Sequence, residues 1–179
     1  MKTSLHKTYI IFIIVFSLTI VPSMKISYAT MLGISTQKLT QDSDLIIDGT
    51  VIDVYSAWDE TSTTIYTYAV VEIQNIHKGS SENKNVTLMY RGGEVDNIGL
   101  KISDQAEFKK RENVFLFLKK SKKEPNLHMF QITGKAQGKY SITKDNRAVK
   151  KGFSVAGNEN VVDYDIPVDL LIEEVRKYK

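Results

Sequence analysis

The feature that most constrains this chain is a strict alternation from Thr63 to His77. Ile65, Thr67, Ala69, Val71 and Ile73 fall on one side, and Tyr66, Tyr68, Val70, Glu72 and Gln74 on the other. Period two belongs to a strand with one face toward a core and cannot sit still as a helix. Just upstream, Leu45 to Tyr55 is rich in β-branched residues, with Gly49 where a bulge or sharp bend is expected. Asp59-Glu60-Thr61-Ser62 separates the two runs as polar turn residues. The pattern predicts a hairpin of two long strands.

Further strands follow at Val86 to Tyr90, Val114 to Leu118, His128 to Thr133 and Gly138 to Thr143, with a short one around Leu100 to Ile102 in an otherwise irregular stretch, 95 to 111. Val114 to Leu118 is apolar throughout, which predicts burial on both faces. Ser35 is placed to cap a helical turn reaching Gln41. Pro167 opens a final helix with Leu170, Leu171, Val175 and Tyr178 as its apolar stripe and Arg176, Lys177 and Lys179 at its C-terminal end. Gly134 and Gly138 would permit a tight corner. The expected class is mostly β: a small five- to six-stranded barrel of the oligonucleotide/oligosaccharide-binding (OB) type, with a short N-terminal helix and a C-terminal helix. A β-sandwich is the alternative.

Residues 1–29 read as a cleaved signal peptide. Lys2, His6 and Lys7 precede an apolar run from Tyr9 to Val21, too short for a comfortable span, and Ser27-Tyr28-Ala29 has cleavage grammar that would leave Thr30 as the new terminus. Residues 30–179 are then expected to form one domain, secreted or at the cell surface, with no membrane partner after cleavage. Lys2, Lys7 and Lys25 leave with the leader and no acid does, so 21 of the 24 basic side chains remain against 21 acidic ones. A neutral domain removes the electrostatic case for nucleic acid. With no cysteine anywhere, stability must come from apolar burial and strand pairing, which favours a prokaryotic cell exterior.

Catalytic and metal motifs are sparse. His77 and His128 show no ligand spacing and read as solvated turn residues. No Gly-x-Ser-x-Gly elbow occurs. Gly134-Lys135-Ala136-Gln137-Gly138-Lys139 departs from a phosphate loop and reads as a strand corner. The pairs Asp42 with Asp44 and Asp163 with Asp165 read as capping and solvation, and Lys119, Lys120, Lys122 and Lys123 as a charged hairpin tip guarding the apolar strand. Trp58, Tyr55, Tyr66 and Tyr68 gather around the first hairpin and would suit sugar or protein contacts. In Arg91-Gly92-Gly93-Glu94 two glycines admit close backbone approach between two charges. The expected contact residues are therefore Trp58, Tyr66, Arg91, Gly92, Gly93 and Glu94, with no catalytic residue, cofactor or metal.

Ser43-Asp44-Leu45-Ile46-Ile47, Gly49-Thr50-Val51, Val71-Glu72-Ile73, Lys78-Gly79, Arg91-Gly92-Gly93-Glu94, Arg111 to Leu118 and Gly134 to Lys139, taken in order, resemble a group of uncharacterised secreted prokaryotic proteins. Their strand order is similar to the netrin-like domain of tissue inhibitors of metalloproteinases. The resemblance spans Ser35 to Ile142 and implies an OB-like barrel. Those inhibitors grip a protease zinc through an N-terminal cysteine pinned by disulfides, and here Thr30 stands at the corresponding terminus, with no cysteine to pin it. The expected function is a non-enzymatic extracytoplasmic binding or accessory module for a protein or envelope glycan. A protease inhibitor acting through Thr30 or the Arg91–Glu94 loop, and a carboxylate-dependent hydrolase, are the alternatives.

Overall fold

The computed structural model describes residues 30–121 and 129–179. The expected leader, together with Lys122, Lys123 and His128, lies outside them. The elements are β1 (Thr30–Leu32), α1 (Thr36–Asp42), β2 (Leu45–Trp58), β3 (Ile65–Lys78), β4 (Asn85–Arg91), β5 (Gly93–Val95), β6 (Ile98–Leu100), β7 (Asn113–Lys120), β8 (Met129–Ile132), β9 (Lys139–Ile142), β10 (Arg147–Val149), β11 (Ser154–Ala156), β12 (Asp165–Pro167) and α2 (Val168–Tyr178). The protein is mostly β. Among the described residues there are twelve strands, more than the five or six expected. The surplus is β1, β5, β6, β10, β11 and β12, each of three residues and too short for alternation to register in the sequence.

The long hairpin forms as the alternation requires, with β2 and β3 antiparallel from Ile46↔Lys78 to Trp58↔Ile65. Its register shifts between Ile46 and Ile47, Asp48 and Gly49, and Val51 and Asp53, which bends the pair. Gly49 sits at the middle shift, where a Cβ would lie 2.2 Å from the Glu72 carbonyl oxygen. Because β2 bends there, its first half, Leu45 to Thr50, also pairs with β7, while its second half pairs with β3 alone.

Five strands close a ring. β3 pairs with β4, β4 runs parallel to β8, β8 pairs with the end of β7, and β7 returns to β2. This is a closed circuit of pairings and not two facing sheets. β7 serves two neighbours on its far edge: Leu118 to Lys120 meet β8, and Val114 to Leu116 meet β9. From β9 the sheet continues through β10 to β12 outside the ring.

Two cores result, with β7 between them. Val114, Leu116 and Leu118 join Leu45, Ile47, Ala69, Val71 and Leu88 inside the ring. Phe115 and Phe117 join Leu39, Ile46, Tyr140, Leu171 and Val175 outside it, beneath the helices. The expected two-sided burial of this run is what the structure shows. α1 begins at Ser35, whose Oγ accepts from the Lys38 amide at 3.2 Å. α2 docks through Val168, Leu171 and Val175, and Leu170, expected in the stripe, is 49% exposed. Pro167 stands one position before the helix and closes β12.

His77 differs from expectation. It lies within β3, stacked on Phe115 with ring centroids 4.8 Å apart, and its Nε2 is 2.7 Å from Asp48 Oδ2. Asn75 Nδ2 donates to Asp48 Oδ1 at 3.0 Å. Gln74 and His77 are the unpaired residues of the two register shifts that flank the Asp48↔Asn75 pair, and Asp48 also pairs with Phe115 on β7, so this end of β3 leaves the face of Ile65 to Ile73 and turns His77 onto the outer core.

Phe115→Ala should destabilise the protein by about 3–5 kcal/mol in urea unfolding, since it empties the contact shared by both helices and His77. Gly49→Ala should cost about 1–3 kcal/mol, since its Cβ meets backbone and not a movable side chain.

Candidate functional site

Residues 101–112 carry no regular structure, yet they are fastened at many points. Ala106 and Phe108 are buried in the ring core. The Arg111 amide donates to the Val51 carbonyl at 2.7 Å, and the Val51 amide to the Glu112 carbonyl at 2.9 Å. Lys135 Nζ reaches Asp104 Oδ2 at 2.7 Å. Lys139, on β9, donates to Glu112 Oε1 at 2.8 Å and to the Glu107 carbonyl, and lies 4.7 Å from the centroid of the Phe108 ring. Burial pulls the Lys139 ammonium below its ordinary pKa, and Glu112 opposes that shift. Ser141 Oγ donates to the same Glu112 oxygen at 2.6 Å.

This fastened segment walls two adjoining clefts. The smaller, about 430 Å³, is lined by Tyr90, Arg91, Gly92, Gly93 and Glu94 on one side and by Lys101, Ile102 and Gln105 to Glu107 on the other. The larger, about 870 Å³, lies between Lys101 to Glu112 and the strands β9 to β11, with Lys139, Ser141, Lys151, Phe153 and Ser154 on its walls.

Arg91, Gly92, Gly93 and Glu94 thus reach one cleft together. The glycines have a packing reason of their own. Gly93 crosses the end of the ring, where a Cβ would sit 2.3 Å from both Ser56 Oγ and Thr67 Oγ1. Thr67 Oγ1 donates to the Gly92 carbonyl at 2.6 Å, and the Gly92 amide to the Ile65 carbonyl at 2.8 Å. β5 then turns back into β6 through Asp96 and Asn97, both at positive φ, the twist a two-residue hairpin favours. That hairpin was missed in the sequence, and the strand anticipated at Leu100 to Ile102 stops at Leu100. Tyr90, half-buried against Phe108, has its phenol pushed up to about 12 by burial.

Tyr66 pairs with Arg91 across β3 and β4 and with Ala57 across β2, on the outer face of the ring. Two pairs along, on the same face, Tyr55 stacks on Tyr68 at 5.2 Å, and Tyr55 is 49% exposed. Trp58 does not join them. It pairs with Ile65, a core residue, and so shares the opposite face.

Thr30 begins β1, which runs parallel to β11 with Thr30 level with Ser154, a wall residue of the larger cleft. The Gly134–Lys139 segment explains how β1 is held. Gly134 takes a left-handed conformation and Lys135–Gly138 forms one tight 3-10 turn, burying Gln137 completely. Gln137 Oε1 accepts from the Ile34 amide at 2.8 Å, and its Nε2 donates to the Leu32 carbonyl at 2.9 Å. The N-terminal strand is therefore clamped without a disulfide, which the sequence did not suggest. The acidic pairs act as anchors: Asp44 accepts from the Lys120 amide and Asp163 from Thr36 Oγ1.

Lys151 lines the larger cleft, whereas its neighbour Lys150 turns inward. Lys150 is 4% exposed, with Nζ 4.3 Å from the Tyr140 ring centroid and no hydrogen-bond acceptor in reach among the described residues. Thr36 Oγ1 donates to Asp163 at 2.7 Å, so the Tyr140 hydroxyl is the donor in its 3.3 Å contact with Thr36. Among the described residues no three His, Cys, Asp or Glu side chains converge as metal ligands, and no helix is long and apolar enough to cross a membrane. No protein-family model matches the chain, and no curated protein matches it.

Burial lowers the Lys150 pKa from 10.5 to about 7, with Asp163 opposing. Below about 7 both folded and unfolded states bind the proton, and the burial cost is present in full. Above it the folded state sheds the proton while the unfolded state keeps it, so stability should climb with pH until the tyrosines titrate. Lys150→Met should raise neutral-pH stability by on the order of a few kcal/mol and flatten this climb, as read from urea midpoints across the pH range.

Proposed function

We propose that the protein is a non-enzymatic binding module of the cell exterior, built on an OB-like barrel, whose partner is an envelope glycan or protein. The ring order supports the barrel reading. Taken in chain order as strands one to five, β2, β3, β4, β7 and β8 are arranged 1-2-3-5-4 and close back on 1, with 3 and 5 parallel. In barrels of this type the second and third strands present the binding face.

The observation that carries the reading lies on that face. Tyr66 and Arg91 form a cross-strand pair beside the stacked Tyr55 and Tyr68, and Arg91 leads directly into the smaller cleft with Glu94. Aromatic rings with a planar cation at the mouth of a cleft suit sugar rings and extended polar chains. Two of the three carboxylates of the larger cleft serve as ties: Asp104 holds Lys135, and Glu112 holds Lys139 and Ser141, which leaves Glu107 without a carboxylate partner for a catalytic pair. That disfavours a hydrolase built on them.

A second reading, the protease inhibitor, gains support from the Gln137 clamp. A free amino terminus at Thr30 would be held by strand pairing where disulfides serve in the inhibitors.

Titrating the isotope-labelled protein with soluble peptidoglycan oligosaccharides should give saturable NMR shifts at Tyr55, Tyr66, Tyr68 and Arg91 to Glu94. Tyr66→Ala and Arg91→Ala should each weaken binding about tenfold. Shifts confined to other surfaces would retire the reading. A zinc metalloprotease should retain full activity with the protein present. Inhibition that disappears when one residue is added before Thr30 would favour the second reading instead.

A further inference from the structure

The larger cleft carries positive charge that the protein does not neutralise. Of its acids, Asp104 is matched by Lys135 and Glu112 by Lys139. Lys101, Lys109 and Lys151 line the same cleft with no ion pair among the described residues, and Glu107 is the one described acid of the lining left unpaired. Residues 30–179 balance 21 basic against 21 acidic side chains, so an unmatched cluster here is a local segregation and not the reflection of a basic protein.

The cleft is also built to hold a shape. Its floor strand, β9, is tied to the 107–112 segment through Lys139, Ser141 and Glu112, so one wall cannot drift from the other. Phe153 stands on the opposite wall, stacked on Tyr164 at 5.6 Å, and Ser103 and Ser154 add hydroxyls. The volume, about 870 Å³, is at the upper end of small-ligand clefts and accommodates more than one sugar-sized unit. Three separated ammonium groups around a polar trough with an aromatic ring match a chain that alternates anionic groups with hydroxylated carbon skeleton. A nucleic acid is less well served, since Phe153 is the one aromatic ring on the described walls and strand binders need successive stacking platforms.

We propose that the larger cleft binds an anionic glycan or polyol chain, its phosphate or carboxylate groups held by Lys101, Lys109 and Lys151 and its skeleton lying along Phe153. This deepens the binding-module reading by naming the ligand class, and rests on it. Lys101 borders both clefts, whereas Lys109 and Lys151 line the larger one and not the smaller, so the Lys109 and Lys151 variants separate failure of this site from failure of the Tyr66–Arg91 face.

The test is calorimetric titration of the protein with three probes: a glycerol-phosphate oligomer, an oligogalacturonate and an uncharged chitin oligosaccharide, each at low and high salt. At least one anionic probe should bind saturably and weaken with salt, and the two together decide between phosphate and carboxylate. Lys101→Gln, Lys109→Gln and Lys151→Gln should each weaken that binding about two- to fivefold, and the triple variant tenfold or more. Lys119→Gln, outside the cleft, should leave it unchanged. All are exposed surface positions, and thermal unfolding checks that the variants remain folded.

Equal binding of the neutral probe, or anion binding that survives the triple substitution, overturns the inference while leaving the module reading intact. Absence of binding by either anion overturns it as well. An oligothymidylate that outcompetes both anions would do the same, by assigning the lysines to nucleic acid.

Discussion

Everything in this structure hangs on β7 being apolar on both sides. A strand with one dry face can close a ring or support helices, but not both. Val114, Leu116 and Leu118 complete the ring interior, while Phe115 and Phe117 give α1, α2 and Tyr140 something to cover. Because β7 is buried on both faces, its edges must be occupied too, and three partners supply this: β2 on one side, β8 and β9 sharing the other. The fork between β8 and β9 is where the Lys135–Gly138 turn sits, so the clamp on the N-terminal strand follows from the same demand.

The clefts come from what cannot be strand. Residues 101–112 plug the ring with Ala106 and Phe108 and then run across its flank, held by Lys139, Lys135 and Val51. A segment so fastened makes a rigid wall without regular structure, and the hollows on either side of it are the two clefts. Function in this fold is thus expected where chain irregularity is paid for by side-chain ties.

Part of this was readable from residue order. Alternation sorted β3 into its two faces as far as Ile73, β-branching marked β2 as a strand, the unbroken apolar run identified β7, and the glycines marked the bend at Gly49 and the corner at Gly138, where a Cβ would lie 2.0 Å from the Thr133 carbonyl oxygen. Arg91 to Glu94 stood out because paired glycines between charges are unusual, and they do wall a cleft. The reading failed where tertiary packing overrides local pattern. His77 reads as a solvated strand end beside Lys78, but the register shifts at Gln74 and at His77 itself, set by pairing with β2, turn it onto Phe115. Trp58 and Tyr66 lie close along the hairpin, yet they point to opposite faces. Lys101, Lys109 and Lys151 carry no local signal of a site, since exposed lysines are commonplace and only their convergence is informative.

By itself, the sequence determined which segments are extended, which faces are apolar and that no disulfide supports the fold, because period, β-branching and cysteine content are local properties. Only the tertiary structure decided that five strands close on one another, that Gln137 clamps the N-terminal strand, and that Lys151 shares one cleft with Lys101 and Lys109. Those are matters of register and crossing, set by bulges and by competition for the edges of β7, and no window of sequence contains them.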